Sequence, residues 1–369
     1  MAQLAKKQIF IEKKEILSYI EILMSNLTTI KDSGEFLLHF DDVIVDDKSW
    51  NVWNWPQGVG LYGIYKYYKR TKDVKAIKII NDWFETQMEV GAPPKNVNTM
   101  APLLTMACLY EDTQDSRYLP YLEDWAHWVM HDMPRTKDNG LEHMTYGPAN
   151  TQQLWDDTLM MTALPLAKIG VLLNRPDYIE EAKHQFLIHI KYLADKKTGL
   201  WFHGWTFEGN HNYANALWAR GNCWITVAIP EIIEMLKLPE GDFFREFLVK
   251  TLNAQIKELA KLQDMSGLWH TLLDDKNSYL EASATAGFAY GILKSVNKRY
   301  ISKQYREIGE LAIKGLISEI SESGALGKVS VGTGMGDTLD FYRQIKITEM
   351  PYGQSLAVLA LSEFLNAYI

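Results

Sequence analysis

The sequence predicts an all-α protein, a closed toroid of six helical hairpins, with residues 1–369 forming one (α/α)6-barrel domain. Three observations point there. Apolar residues recur at helical spacing along almost the whole chain. The connections between these segments alternate between short and long. No linker or Pro/Ser-rich tract interrupts the alternation, so the helix pairs read as repeats of one architecture.

In chain order, Ile16, Ile20, Leu23 and Leu27 mark a first helix. Further helices are expected at about 58–68, 74–88, 98–110, 118–129, 153–172 and 177–193. The remainder fall at about 217–236, 243–262, 280–296, 302–317 and 353–368. Strand-like alternation is scarce. Turn residues such as Asn174-Arg175-Pro176-Asp177 stop one helix and start the next. Tight turns are expected at 71–73, 113–116, 174–176, 238–241 and 297–299. Long links lie at 28–54, 91–97, 134–151, 194–216, 263–279 and 321–351. Hairpins whose tight turns share one end push every long link to the other, where function is expected on a rigid scaffold. An open α-solenoid has a similar repeat, but glycine and tryptophan in the long links favour a barrel with a pocket.

Composition narrows the function. At 47% hydrophobic and 23% charged, the chain is neither disordered nor a coiled coil. Acids outnumber bases 46 to 38, a net charge of -8, which argues against nucleic acid as a partner. Cys108 and Cys223 have no zinc spacing and read as buried thiols. Charges break every apolar run of the first 24 residues, and no stretch is apolar enough to span a bilayer. These features predict a cytoplasmic protein with no membrane association, a monomer or weak homodimer.

The aromatic load is high, with twelve Trp, nineteen Tyr and thirteen Phe. Most of these should fill the core. Trp53, Trp55, Trp201, Trp205 and Trp269, however, sit in polar, glycine-containing stretches. Rings beside Asn, Asp, His and Arg suit a sugar cleft, because a pyranose has apolar faces and a hydroxyl rim.

Two stretches carry the chemistry. Gln152-Gln153-Leu154-Trp155-Asp156-Asp157-Thr158 opens a helix with adjacent carboxylates. Neighbours on a helix point about 100° apart, so at most one of them faces a pocket squarely, and spacing does not choose between them. In Leu217-Trp218-Ala219-Arg220-Gly221-Asn222, an arginine flanked by tryptophan suits a bidentate grip on a carboxylate, with an internal salt bridge as the alternative. His203 shares the 194–216 link with His211. His127 and His131 share a helical face but have no third ligand, so no metal site and no cofactor is expected. Gly332-Thr333-Gly334-Met335-Gly336 follows no strand and is no nucleotide fingerprint.

Taken in order, these stretches resemble family 105 of the glycoside hydrolases, the unsaturated rhamnogalacturonyl hydrolases, related to the unsaturated glucuronyl hydrolases of family 88. The matching residues are Trp55-Pro56-Gln57-Gly58-Val59, Trp155-x-Asp157, Leu200 to Trp205 and Trp218-Ala219-Arg220-Gly221-Asn222, then Tyr279, Glu281 and Gly332-Thr333-Gly334. The resemblance implies an (α/α)6 barrel and an enzyme acting on unsaturated oligosaccharides left by polysaccharide lyases. In that chemistry one aspartate protonates C4 of the C4=C5 enol ether and then activates water for attack at C5. The resulting hemiketal opens and the glycosidic link is lost. Carried over, the acid/base falls on Asp157, and His143, His203, Trp218 and Arg220 bind the unsaturated uronate, with Trp55 and Trp205 beside them. The chain departs from the family at Asn98, where relatives place a second aspartate. The reading is release of unsaturated galacturonate from rhamnogalacturonan disaccharides. Its rivals are an inverting glycosidase with Glu281 as second carboxylate and an inactive sugar-binding relative.

Overall fold

The computed structural model describes residues 11–40, 43–147 and 149–368, with Val43 given by its backbone alone. The chain opens with α1 (Lys13–Thr29) and a ribbon of β1 (Leu37–Phe40) and β2 (Val43–Asp46). Then come α2 (Trp55–Thr71), α3 (Val74–Val90), the short α4 (Val97–Met100), α5 (Leu103–Thr113) and α6 (Leu119–His131). Strand β3 (Gln153–Trp155) and a π turn (Leu159–Ala163) precede α7 (Leu164–Leu172) and α8 (Pro176–Leu193). After β4 (Gly204–Thr206) follow α9 (Ala219–Met235), α10 (Phe243–Leu262), β5 (Trp269–His270) and β6 (Leu280–Glu281). The chain closes with α11 (Ala282–Asn297), α12 (Arg306–Ser318), the short α13 (Leu339–Arg343) and α14 (Pro351–Phe364).

Six of these helices make a closed inner ring. α2 packs on α5, α5 on α7, α7 on α9, α9 on α11, α11 on α14, and α14 returns to α2. Outside them α3, α6, α8, α10, α12 and α1 lie against the inner ring, α6 bridging α5 and α7. Five hairpins are sequential, and the two ends of the chain supply the sixth, with α14 inside and α1 outside. This is the expected (α/α)6 barrel.

Sequence explains the two rings. Outer helices are amphipathic: α3 buries Ala76, Ile80, Trp83, Phe84 and Gln87, one stripe at helical spacing. Inner helices are buried all round, as α11 is from Ala282 to Val296. Small residues let them touch: a Cβ on Gly291 of α11 would sit 2.1 Å from the Thr226 carbonyl oxygen of α9. Cys108 and Cys223 are buried and free, as expected. Four of the five expected tight turns contain one non-glycine residue in the left-handed region, Lys72, Gln114, Asn174 and Arg299, and Lys237 immediately precedes the fifth.

Three local differences from the sequence reading matter. The segment expected as one helix from 98 breaks at Pro102 into α4 and α5, because proline has no N–H to donate. The helix expected from 153 begins as strand β3, paired antiparallel to β4 (Leu154 with Trp205, Trp155 with Gly204). It continues through Asp157 into the π turn just ahead of Pro165, whose missing N–H and crowding ring favour a widened ladder there. Among the described residues the three two-stranded ribbons lie in the connections between helices, with β3 and β6 just past the links expected at 134–151 and 263–279. Among the described residues, no helix is long and apolar enough to cross a membrane.

Candidate active site

A cavity of about 380 Å³ opens at the long-link end of the barrel. Its wall takes Trp55 from the start of α2, Asn98 from α4, His143, Trp155, Asp157 and Met161 from the strand-to-helix corner, and Trp218 and Arg220 from α9. Gly332, Thr333 and Gly334 form another side, and the β1–β2 ribbon covers the mouth with Leu37, Leu38, Phe40 and Val45. Six of the eight residues expected in the site therefore line one cavity.

Asp157 is the centre of the arrangement. Its side chain is 19% exposed, whereas Asp156 beside it is fully buried, so the structure makes the choice that spacing left open. His203 lies behind the wall, 1% exposed, with Nε2 3.6 Å from Asp157 Oδ2. Its Nδ1 is 2.8 Å from the Tyr342 hydroxyl, which itself accepts the Gly336 N–H. The Tyr342 hydroxyl has two acceptors in reach, Nδ1 and the weaker Met335 Sδ at 3.7 Å; with its proton on the stronger, His203 keeps its N–H on Nε2, on the side of Asp157. His143 stacks flat on Trp155, with ring centroids 4.2 Å apart, and its Nδ1 meets the Thr158 hydroxyl at 2.9 Å.

Burial pushes His143 down to about 4 and lowers His203 too, so both imidazoles are neutral near pH 7. Burial pushes Asp157 up, but the His203 N–H, the imidazoles and the Asp156 side chain outweigh it and hold the group well below the usual carboxylate range. Asp156 moves the opposite way, raised by burial and by the charge of Asp157. One oxygen each from Asp156 and Asp157 and one nitrogen of His203 lie within 4.8 Å of one another. Among the described residues this is the one cluster with three metal-type donor atoms, but a neutral Asp156 suits a shared proton better than a cation.

Several expected contacts are corrected. Arg220 does not present a free fork. Its guanidinium donates to the Ser330 carbonyl and hydroxyl, the Val331 carbonyl and the Thr333 hydroxyl, and lies 3.5 Å from Glu281. The rings of Trp218 and Tyr352 flank it at 4.8 and 4.9 Å. It therefore holds the 330–333 segment in place, as the internal salt bridge would, while still forming part of the wall. Glu281 is fully buried and off the wall: it caps α11 through Ala284 N and accepts from Ser283 and Ser330. That removes it as a carboxylate opposing Asp157.

Trp205 is not on the wall either. Side chains alternate across a strand, so with Trp155 facing the cavity, Leu154 and its partner Trp205 face away, into a cluster with Ile188, Phe207 and Tyr192. Trp53, Trp201 and Trp269 are core residues. Trp55 does line the cavity, stacked on Tyr352 with centroids 4.6 Å apart. Asn98 lines it as well, but no hydrogen bond joins its side chain to Asp157; the cap of α4 is made by Asn96.

Sequence reading missed Asp47 and Tyr342. Asp47 is a buried wall residue that accepts from Asn54 at 2.5 Å, and burial with the charge of Asp46 pushes it up to about 7. Nothing in Val45-Asp46-Asp47-Lys48 signals this, because the ribbon that carries it has no sequence pattern of its own.

The model of Glycosyl Hydrolase Family 88 matches residues 30–368. The chain belongs to this family. As a family 88 protein it is a glycoside hydrolase, and its relatives agree. It is 31% identical over 318 residues to the unsaturated rhamnogalacturonyl hydrolase YesR of Bacillus subtilis, covering 85% of this chain and 90% of that one. A solved structure from Salmonella enterica, described as a possible member of family 105, is 57% identical with a TM-score of 0.97, covering 99% of this chain and 97% of that one. An unsaturated glucuronyl hydrolase specific for heparin, 16% identical with a TM-score of 0.72, shares the fold over 96% of this chain and 97% of that one.

Proposed function

We propose that this family 88 protein is an unsaturated uronyl hydrolase that releases 4,5-unsaturated galacturonate from lyase-generated rhamnogalacturonan disaccharides. The observation that carries the reading is Asp157, a wall carboxylate with His143 on the same wall and the His203 N–H behind it. One carboxyl able to give and then take a proton is what enol-ether hydration requires. The similarity to YesR supports the sugar class. Asp157 protonates C4, the π electrons leave C5 electron-poor beside the ring oxygen, and the Asp157 carboxylate takes a proton from the water that attacks C5. Trp55 and Trp218 offer ring faces to the sugar. Arg220, with its donors committed to protein acceptors, contributes positive field to the uronate more than a bidentate fork.

The experiment is to supply lyase digests in labelled water. The reading requires loss of the enol-carboxylate absorbance, with the label on the new ketone of the unsaturated sugar. A saturated analogue should not be cleaved.

Asp47 is the observation that favours a second reading. A carboxyl pushed up to about 7 on the same wall as an ionised Asp157 is the pairing an inverting glycosidase uses. Label at the anomeric carbon, or turnover of the saturated analogue, would establish that reading instead.

A further inference from the structure

Asp156 sits in the corner between β3 and the helix that Asp157 enters, and it is fully buried. Both its carboxyl oxygens are shielded from solvent, and neither has a well-formed hydrogen bond from a donor. The side chain is pressed against α9 at Gly221, where a Cβ would lie 2.2 Å from Oδ2 and 2.7 Å from Oδ1. Gly221 therefore makes the room that Asp156 occupies. A carboxylate taken out of water without a counter-charge costs several kcal/mol, and among the groups facing this one only the Asp156 and Asp157 backbone N–H favour the anion, too weakly to offset burial and the Asp157 charge. Asp157 is itself an anion, His143 and His203 are neutral, and Tyr342 and Cys223 hold their protons. Arg220 is committed to Glu281 and the 330–333 segment. The Asp156 carboxyl is thus a neutral acid, with an oxygen within 4.8 Å of one of Asp157, and the two side chains interact directly.

We propose that Asp156 is a positioning residue that holds the proton of the reaction and exchanges it with Asp157 across this contact. The proposal rests on the hydration chemistry proposed above. It answers a difficulty in that chemistry: catalysis begins with a protonated acid, while the surroundings of Asp157 favour its anion. In the forward step the Asp156 O–H bond breaks as an Asp157 O–H bond forms, and that proton then bonds to C4 of the sugar. Two anions now face the electron-poor C5. Water adds to C5 as its proton passes to Asp157, and then back to Asp156. The sum is one water added across the double bond, with the pair restored.

The test is Asp156→Asn, which keeps the shape and removes the exchangeable proton. At pH 7 kcat should fall by about tenfold or more with KM within about twofold, the kcat-side signature of lost proton transfer. The alkaline limb of kcat should move down by roughly one unit or more, because Asp157 alone loses its proton earlier than the pair does. The deficit therefore shrinks on acidification. A loss equal at every pH, or a profile superimposable on wild type, overturns the proposal. Should the variant not fold, Gly221→Ala crowds the same carboxyl and should move the limb in the same direction; an unmoved limb overturns it equally. Infrared spectra of the unliganded enzyme above about pH 8, where Asp47 is ionised, decide the matter without substrate: the wild type should show a neutral carboxylic C=O band that Asp156→Asn lacks, and its absence from the wild type overturns the proposal. Failure to turn over unsaturated uronides would refute the function while leaving this band intact.

Discussion

Asp47 gives a prediction that concerns stability alone and so stands apart from any substrate. Its carboxyl is raised from 3.8 to about 7, first by burial and then by Asp46. Between those values the folded protein binds a proton that the unfolded chain has lost. The stability it contributes is complete below about pH 4, declines as pH rises, and is gone above 7. The slope is about 1.4 kcal/mol per pH unit, halving at pH 7 where the group is half ionised, so from pH 5 to pH 7 Asp47 alone removes roughly 2.3 kcal/mol. At about 2 °C per kcal/mol for a large domain, that is roughly 5 °C in Tm. Asp47→Asn removes the group and keeps an oxygen for Asn54. The raised Asp156 adds a slope of the same sign, and the depressed His143, His189 and His203 add slopes of the opposite sign, but all of these are common to both proteins. The quantity to measure is the Tm of Asp47→Asn minus that of wild type, which should grow by roughly 5 °C between pH 5 and pH 7. Parallel Tm curves would mean that Asp47 is ionised in the folded protein, and the general-acid role in the second functional reading would fall with it.

Three further outcomes are expected. Asp157→Asn should lower turnover by at least about 100-fold with an unchanged Tm, since on the proposed mechanism it removes the acid/base from a partly exposed wall position; a loss below tenfold would mean another group does the chemistry. Asn98→Asp should raise the alkaline limb of the rate profile by about one unit through a second charge on the Asp157 wall, and an unmoved profile would show that Asn98 does not sense Asp157. Trp55→Ala should raise KM, whereas Trp205→Phe should leave KM within about twofold and lower Tm, because Trp205 packs behind the ribbon; the reverse pattern would restore Trp205 to the site.

The fold was legible because both of its determinants repeat along the chain. Amphipathic stripes such as Ile80, Trp83, Phe84 and Gln87 mark outer helices, and the alternation of links orders them in a ring. The sixth hairpin needs α1 and α14 to meet, and periodicity implies that only through the count. The ribbons were not legible. Strands of two to four residues are too short for alternation to register, and their pairing is set by the barrel that carries them. Left-handed residues at the tight turns were legible only at Asn174, a residue type that tolerates the conformation; Lys72, Gln114, Lys237 and Arg299 are held there by the helices they join.

The site divides along the same line. The candidate site residues Asp157, His143, Trp218 and Arg220 were visible with their spacing, yet their partners were not. Arg220 meets residues 110 to 113 positions away, and His203 meets Tyr342 across 139. A local motif says nothing about such contacts, so it offered a ligand carboxylate where the fold supplies Ser330, Val331 and Thr333. The same gap separates Asp156 from Asp157. Adjacent in sequence and equal in type, they differ because Gly221, 65 positions on, leaves a pocket in α9 that takes one carboxyl and excludes water from it. Burial then decides protonation, and protonation decides role. An arrangement that keeps one acid neutral and its neighbour ionised needs a glycine on the facing helix, so Gly221 belongs to the chemistry as much as to the packing.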